Sequence, residues 1–147
     1  MPFNQGSDYF FLPQAVLTGQ TPGCFLATQS HFYFSPNQDV VHSGRKITTT
    51  TYSYGDKTPQ VAITEQLNDP NMTSDKIHAY LSAKVASHKV RVIPFSELKR
   101  FAVKIGWLSK DIIIQVKGDF PDTVHVKDKE LLTSFKQFSQ SLNINPS

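Results

Sequence analysis

Cysteine occurs once, at Cys24, so the chain closes no internal disulfide and builds no cysteine-rich zinc site. Long hydrophobic runs are missing: none approaches the roughly 20 residues a membrane-crossing helix needs. The stretch Met1 to Ser7 lacks the basic region and apolar core of a secretory leader, so the expected compartment is the cytoplasm. Sequence signatures of catalysis are missing too. There is no G-x-S-x-G, no G-x-x-x-x-G-K and no G-x-G-x-x-G, which leaves hydrolase, nucleotide and dinucleotide readings without support. His31, His42, His78, His88 and His125 show neither H-x-x-x-H nor H-E-x-x-H spacing, so no metal or other cofactor is expected. Cys24 lies between Gly23 and Phe25 in an apolar run, where a buried inert thiol is expected rather than a nucleophile. The chain reads as a non-enzyme.

What is present is a core. The 147 residues are 39% hydrophobic and 12% aromatic, enough for one ordered domain and too few for two. Charge is modest, 18% of residues with a net +3, but unevenly placed. Between Lys84 and Lys110 stand seven basic residues and one acid, Glu97, while both flanks are mildly acidic. Such a segment meets anions if it stays together in space, and is a set of solubilising charges if strand alternation scatters it.

Along the chain, Tyr9-Phe10-Phe11-Leu12 and Gln14 to Leu17 read as an apolar anchor packed on the core, broken between Thr18 and Gly23. Cys24 to Thr28 and His31 to Phe34, joined by Gln29-Ser30, suit a β-hairpin. The β-branched and aromatic residues from Ile47 to Tyr54 favour an exposed edge hairpin, and Gln60 to Thr64 reads as a further strand. Ser74 is taken as the N-cap of a helix over 74–87, with Ile77, Tyr80, Leu81 and Val85 at helical spacing. A strand up to Pro94, alternation at Phe101, Val103 and Ile105, the run Ile112 to Val116 and the return Thr123 to Val126 make a β-meander. Asp128 caps a last helix whose stripe is Leu131, Leu132, Phe135, Phe138 and Leu142. The expected class is α+β: a strongly curved antiparallel sheet or partly open β-barrel closed by a C-terminal amphipathic helix.

Two segments carry a family resemblance. Gly23-Cys24-Phe25-Leu26-Ala27-Thr28-Gln29-Ser30-His31-Phe32-Tyr33-Phe34 is similar to the glycine-led hairpin of the pleckstrin-homology-like superfold, in particular its GRAM and small bacterial branches. Ile93-Pro94-Phe95-Ser96-Glu97-Leu98 resembles that superfold's I-P-x-S-x-I entry to a middle strand, and two strands, the Lys127 to Glu130 turn and the closing helix follow it. Together, 23–34 and 92–142 cover about half the chain. The resemblance implies one pleckstrin-like domain over 1–147, interrupted by an insertion at about 37–88, acting as a non-catalytic scaffold. The lipid site of the phosphoinositide-binding branch is not carried over, because Thr18 to Gly23 and Gln29-Ser30 hold no Lys or Arg.

The leading expectation is a protein partner bound by the inserted segment or a sheet edge, with Thr49, Thr51 and Tyr52 on the edge and Tyr80 and Lys84 on the inserted helix. The same edge suits a homodimer. The alternative is an anionic membrane met by Lys99, Arg100, Lys104, Trp107 and Lys110. Trp107 itself is expected as a core residue covering one end of the barrel, the membrane reading requiring it exposed. Single-stranded nucleic acid, which needs Phe101 and Trp107 open in a groove, is the least favoured partner.

Overall fold

A computed structural model describes residues 3–18 and 21–144. Gly19 and Gln20, inside the expected break, lie outside the described residues. Strands β1 (Tyr9–Leu17), β2 (Thr21–Thr28) and β3 (His31–Pro36) open the chain, and β6 (Arg91–Pro94), β7 (Leu98–Ile105), β8 (Lys110–Val116) and β9 (Asp122–His125) complete one sheet. Its order is β6-β3-β2-β1-β9-β8-β7, and every pairing is antiparallel. Helix α4 (Lys129–Ser139) follows β9. Between β3 and β6 the chain makes a separate two-stranded hairpin, β4 (Gln38–Ser43) with β5 (Lys46–Thr51), and the helices α1 (Pro59–Leu67), α2 (Ser74–Ser82) and α3 (Val85–His88).

The fold follows from where alternate side chains go. In β1 to β3, Phe10, Leu12, Phe25, Ala27, Phe32 and Phe34 point to one face and Tyr9, Phe11, Cys24, Leu26 and Tyr33 to the other, and both sets are buried. This explains runs that are apolar at every position rather than every second one. The first face packs under α4, whose Leu132, Phe135 and Phe138 are buried. The second is covered by α1 and α2 through Ala62, Ile63, Leu67, Ile77 and Leu81. In β7 to β9 one face alone is buried: Leu98, Ile112, Ile114 and Val124 go inward, while Arg100, Lys104 and Gln115 stay outside the core.

Three expectations need correction. The sheet is open, neither a closed barrel nor strongly curled, and β6 and β7 share no ladder. The end strands do not pair because β6 stops after four residues at Pro94, where a 3₁₀ turn (Phe95–Glu97) leads to β7, and helices lie on both faces of the β1 to β3 half. Gln60 to Thr64 is helix, not strand, because Thr58 caps α1 by accepting from the Val61 N–H and Pro59 fits the first turn. The next helix starts from Thr73, whose hydroxyl accepts from the Lys76 N–H, and stops at Ser82; Val85 is exposed in α3, which ends at Lys89 in the left-handed region with φ 55°. The 24–28/31–34 hairpin, the exposed hairpin ending in the threonine run, and the Asp128-capped helix stand as expected.

Phe135 sits where these layers meet. Fully buried, it contacts Phe10, Phe25 and Phe101 edge-on at 5.6, 5.8 and 6.4 Å. Phe135→Ala is expected to cost about 3–5 kcal/mol, read as a lowered denaturation midpoint by circular dichroism.

Candidate functional site

The β4–β5 hairpin continues the line of β3 beyond the main sheet as an arm. Asn37 is the joint: its N–H donates to Pro22 O at 2.8 Å and its carbonyl accepts from the Tyr52 N–H at 2.8 Å. At the far end Ser43 faces Lys46 across Gly44-Arg45, and Gly44 takes φ 64°, as the first central residue of a type II′ turn must. Residues flanking such a turn exchange hydrogen bonds, and bonded and non-bonded pairs alternate from there. The backbone N–H and C=O groups of Ile47, Thr49 and Thr51 therefore face the open edge of β5. Every residue of β5 is exposed, and the apolar Val40, Val41 and Ile47 lie bare, Ile47 at 65%.

The root of the arm is fixed by an aromatic cluster that sequence reading caught in part. Tyr54 is buried, and its hydroxyl bonds Ser35 Oγ under β3. Lys84 Nζ lies 4.8 Å from the Tyr54 ring centre and 4.5 Å from that of Tyr80, a cation held on two π faces. His88 packs edge-on against Tyr54 at 4.9 Å, and its Nε2 donates to Ser53 O at 2.9 Å. Tyr52 stands 6.1 Å from the same imidazole. Thus Tyr52, Tyr80 and Lys84 come together, while Thr49 and Thr51 lie farther along the arm. Tyr80 and Lys84 serve as a strut inside the molecule. Tyr54 and His88 were missed; the Tyr-x-Tyr spacing after a β-branched run was the signal available for Tyr54.

The membrane set divides. Trp107 and Leu108 form the tip between β7 and β8 and are 88% and 78% exposed, so Trp107 is not the core residue expected. The physical reason is that the tight turn closed by Gly106 N–H to Ser109 O carries both side chains past the end of the sheet. Lys104 and Lys110 flank this tip, but Lys99 and Arg100 lie toward the other end of β7. Phe101 is turned into the core, stacked on Phe32 at 5.1 Å, which removes it from any exposed aromatic groove.

The sheet edges differ from the arm. β6 is short and ends in proline; β7 carries Lys99, Arg100 and Lys104 and a bulge between Leu98 and Arg100. Those features oppose strand addition. From Ile47 to Thr51 the arm's β5 edge holds no charge, no proline and no bulge.

A cavity of about 420 Å³ lies beside the β1 bulge, with Pro13, Gln14, Asn37 and His125 among its walls; Asn37 Oδ1 is buried there without a hydrogen-bond partner, and His125 Nδ1 meets Asp111 at 3.0 Å. Burial pushes the Cys24 thiol up to about 12, which keeps it protonated and inert. Where α2 meets the β2–β3 turn, Tyr33 OH bonds His78 Nδ1 at 2.7 Å and the imidazoles of His31 and His78 lie 4.5 Å apart. Among the described residues no group of three His, Cys, Asp or Glu converges. No family model, no curated protein and no solved structure matches the chain.

Two outcomes are expected. Tyr54→Phe leaves Ser35, itself buried, without its hydroxyl partner and should cost about 1–3 kcal/mol in denaturant unfolding. The pKa of His31 is held below its ordinary value by burial and then by His78, with Glu97 opposing. The unfolded chain therefore binds this proton more readily, so the contribution is complete above pH ~6.5 and is lost as pH falls through that value toward the folded pKa. Unfolding midpoints taken across this window should fall with pH, and less steeply in His31→Gln.

Proposed function

We propose that this chain is a non-catalytic, pleckstrin-like binding module that takes a protein partner on the β4–β5 arm by strand addition. The observation carrying the reading is that the arm has two strands and no third. A lone two-stranded hairpin is marginal in water, and here Val40, Val41 and Ile47 are uncovered on it. A strand laid along β5 would use the N–H and C=O groups of Ile47, Thr49 and Thr51 and lie beside the exposed Ile47 side chain. The Tyr54–Lys84–His88 root supports this use, since it holds the arm's return strand without occupying the edge. Element order supports the pleckstrin-like part: apart from the inserted segment, the hairpin, the Pro94 entry, the following strands and the closing helix succeed one another as the resemblance implies. A second copy of the chain satisfies the same edge, making a homodimer the self-paired form of this activity.

Thr49→Pro tests the reading. It deletes an N–H that faces outward, so it breaks no bond between β4 and β5. Pull-down from the source cell and sedimentation velocity on the purified chain should show that Thr49→Pro loses the partner or dimer held by the wild type, while Thr49→Val, which keeps the backbone donor, retains it. Equal capture by all three proteins would sink strand addition at this edge.

A further inference from the structure

Away from the arm, the β7–β8 tip sets two adjacent large apolar side chains in solvent with lysines behind them, whereas Phe120, 89% exposed in the β8–β9 turn, stands alone between Asp119 and Pro121. Trp107 and Leu108 are 88% and 78% exposed and adjacent, at the apex of a turn closed by the 2.6 Å bond from Gly106 N–H to Ser109 O. Lys104 precedes Trp107 by three residues near the end of β7 and Lys110 follows Leu108 by two at the start of β8, so both are rooted on the strands just behind the turn. Lys110 Nζ also donates to the Lys127 carbonyl at 3.3 Å, and Val126 N–H to the Lys110 carbonyl at 2.9 Å. These bonds bring the start of α4 beside the tip, adding the exposed Lys127 and Lys129 to the collar. Three carboxylates share this end. Asp111 is engaged by His125 at 3.0 Å, Asp128 accepts from the Leu131 N–H at 3.1 Å as a helix cap, and Glu130 stands free in the first turn of α4.

We propose that the Trp107–Leu108 tip inserts into the interface of an anionic lipid bilayer, with Lys104, Lys110, Lys127 and Lys129 lying against the headgroups. The chemistry matches depth for depth. An indole sits at the boundary between headgroups and acyl chains, a neighbouring leucine adds apolar surface beside it, and the ammonium groups of lysines rooted behind the turn meet the phosphate layer. The four lysines outnumber the three carboxylates of this end and favour negative lipid, Asp111 and Asp128 each being tied to a partner within the protein. This surface differs from the set suggested by sequence alone: Lys99 and Arg100 leave it, and Lys127 and Lys129 join it. It is independent of the arm.

Trp107 is the chain's single tryptophan, so the emission of the intact protein reports this tip alone. The experiment titrates the full chain with phosphatidylcholine vesicles and with phosphatidylcholine–phosphatidylserine vesicles, at low and physiological salt, following emission and co-sedimentation. Expected are a blue shift and sedimentation with the anionic vesicles, both weakened by salt. Leu108→Ser, at a site that supports no packing, should reduce binding while preserving the fold, and Lys104→Glu with Lys110→Glu should lower affinity by about tenfold or more. Three results would overturn the inference: no blue shift with anionic vesicles at low salt, equal binding to neutral vesicles, or binding unchanged by all these substitutions. The first would leave the tip to a protein surface, and the last would place the membrane contact elsewhere.

Discussion

The structure depends on strands β1, β2 and β3 being apolar on both faces. A strand of this kind cannot lie on a surface, so the chain must supply a layer on each side. Helix α4 provides one layer, directly after the last strand. The other comes from the segment between β3 and β6, whose helices bury Ile63, Ile77 and Leu81 against Cys24, Leu26 and Tyr33. That segment is therefore part of the protein's core, and excising α1 and α2 would expose the second face. The half of the sheet formed by β7, β8 and β9 has no such demand, and apart from Ala102 and Ile113 its outer positions are polar or charged.

This division separates what is structural in the inserted segment from what is left over. The helices are spent on the core, the strut of Tyr80 and Lys84 is spent on Tyr54, and Tyr54 is spent on Ser35. Beyond Asn37 the arm is tied to these layers near its root, where Asp39 meets Lys89 at 3.5 Å, and its far part stands exposed. Its strands satisfy each other along one edge apiece and leave the other edge open. A hairpin gains stability from a hydrophobic face or a third strand; here Val40 and Ile47 lie bare on one face and the β5 edge is open.

Much of the frame was legible because it rests on local signals. The helical stripe Leu132, Phe135, Phe138 behind Asp128, the Gln29-Ser30 hairpin and the β-branched run at Ile112 each declare themselves within a dozen residues. Gln60 to Thr64 did not. Its apolar spacing fits strand and helix alike, and the deciding feature was the Thr58-Pro59 start, a cap rather than a pattern. Openness of the sheet was hidden for another reason: whether a sheet must curl depends on what covers its second face, and that cover came from helices some 40 residues away in the sequence. The exposure of Trp107 likewise depends on whether a turn projects past its neighbours, which composition does not encode.

The basic stretch from Lys84 to Lys110 shows how a linear cluster dissolves in three dimensions. Lys84 lies over two tyrosine rings, Lys89 meets Asp39 at 3.5 Å and Arg91 pairs with Asp122 across to β9. Lys99, Arg100 and Lys104 line an edge strand, and Lys110 stands beside the tip. The +6 of that segment is thus divided among a cation–π strut, two ion pairs, an edge and a collar. Charge on an exposed strand edge discourages the pairing of backbones, since an added strand must approach and desolvate it. The same reasoning runs in reverse for Ile47 to Thr51, the uncharged edge of β5. Among the described residues, one edge of the main sheet is thus guarded by lysine and arginine and the other ends at proline, whereas Ile47 to Thr51 on the arm carry neither charge nor proline.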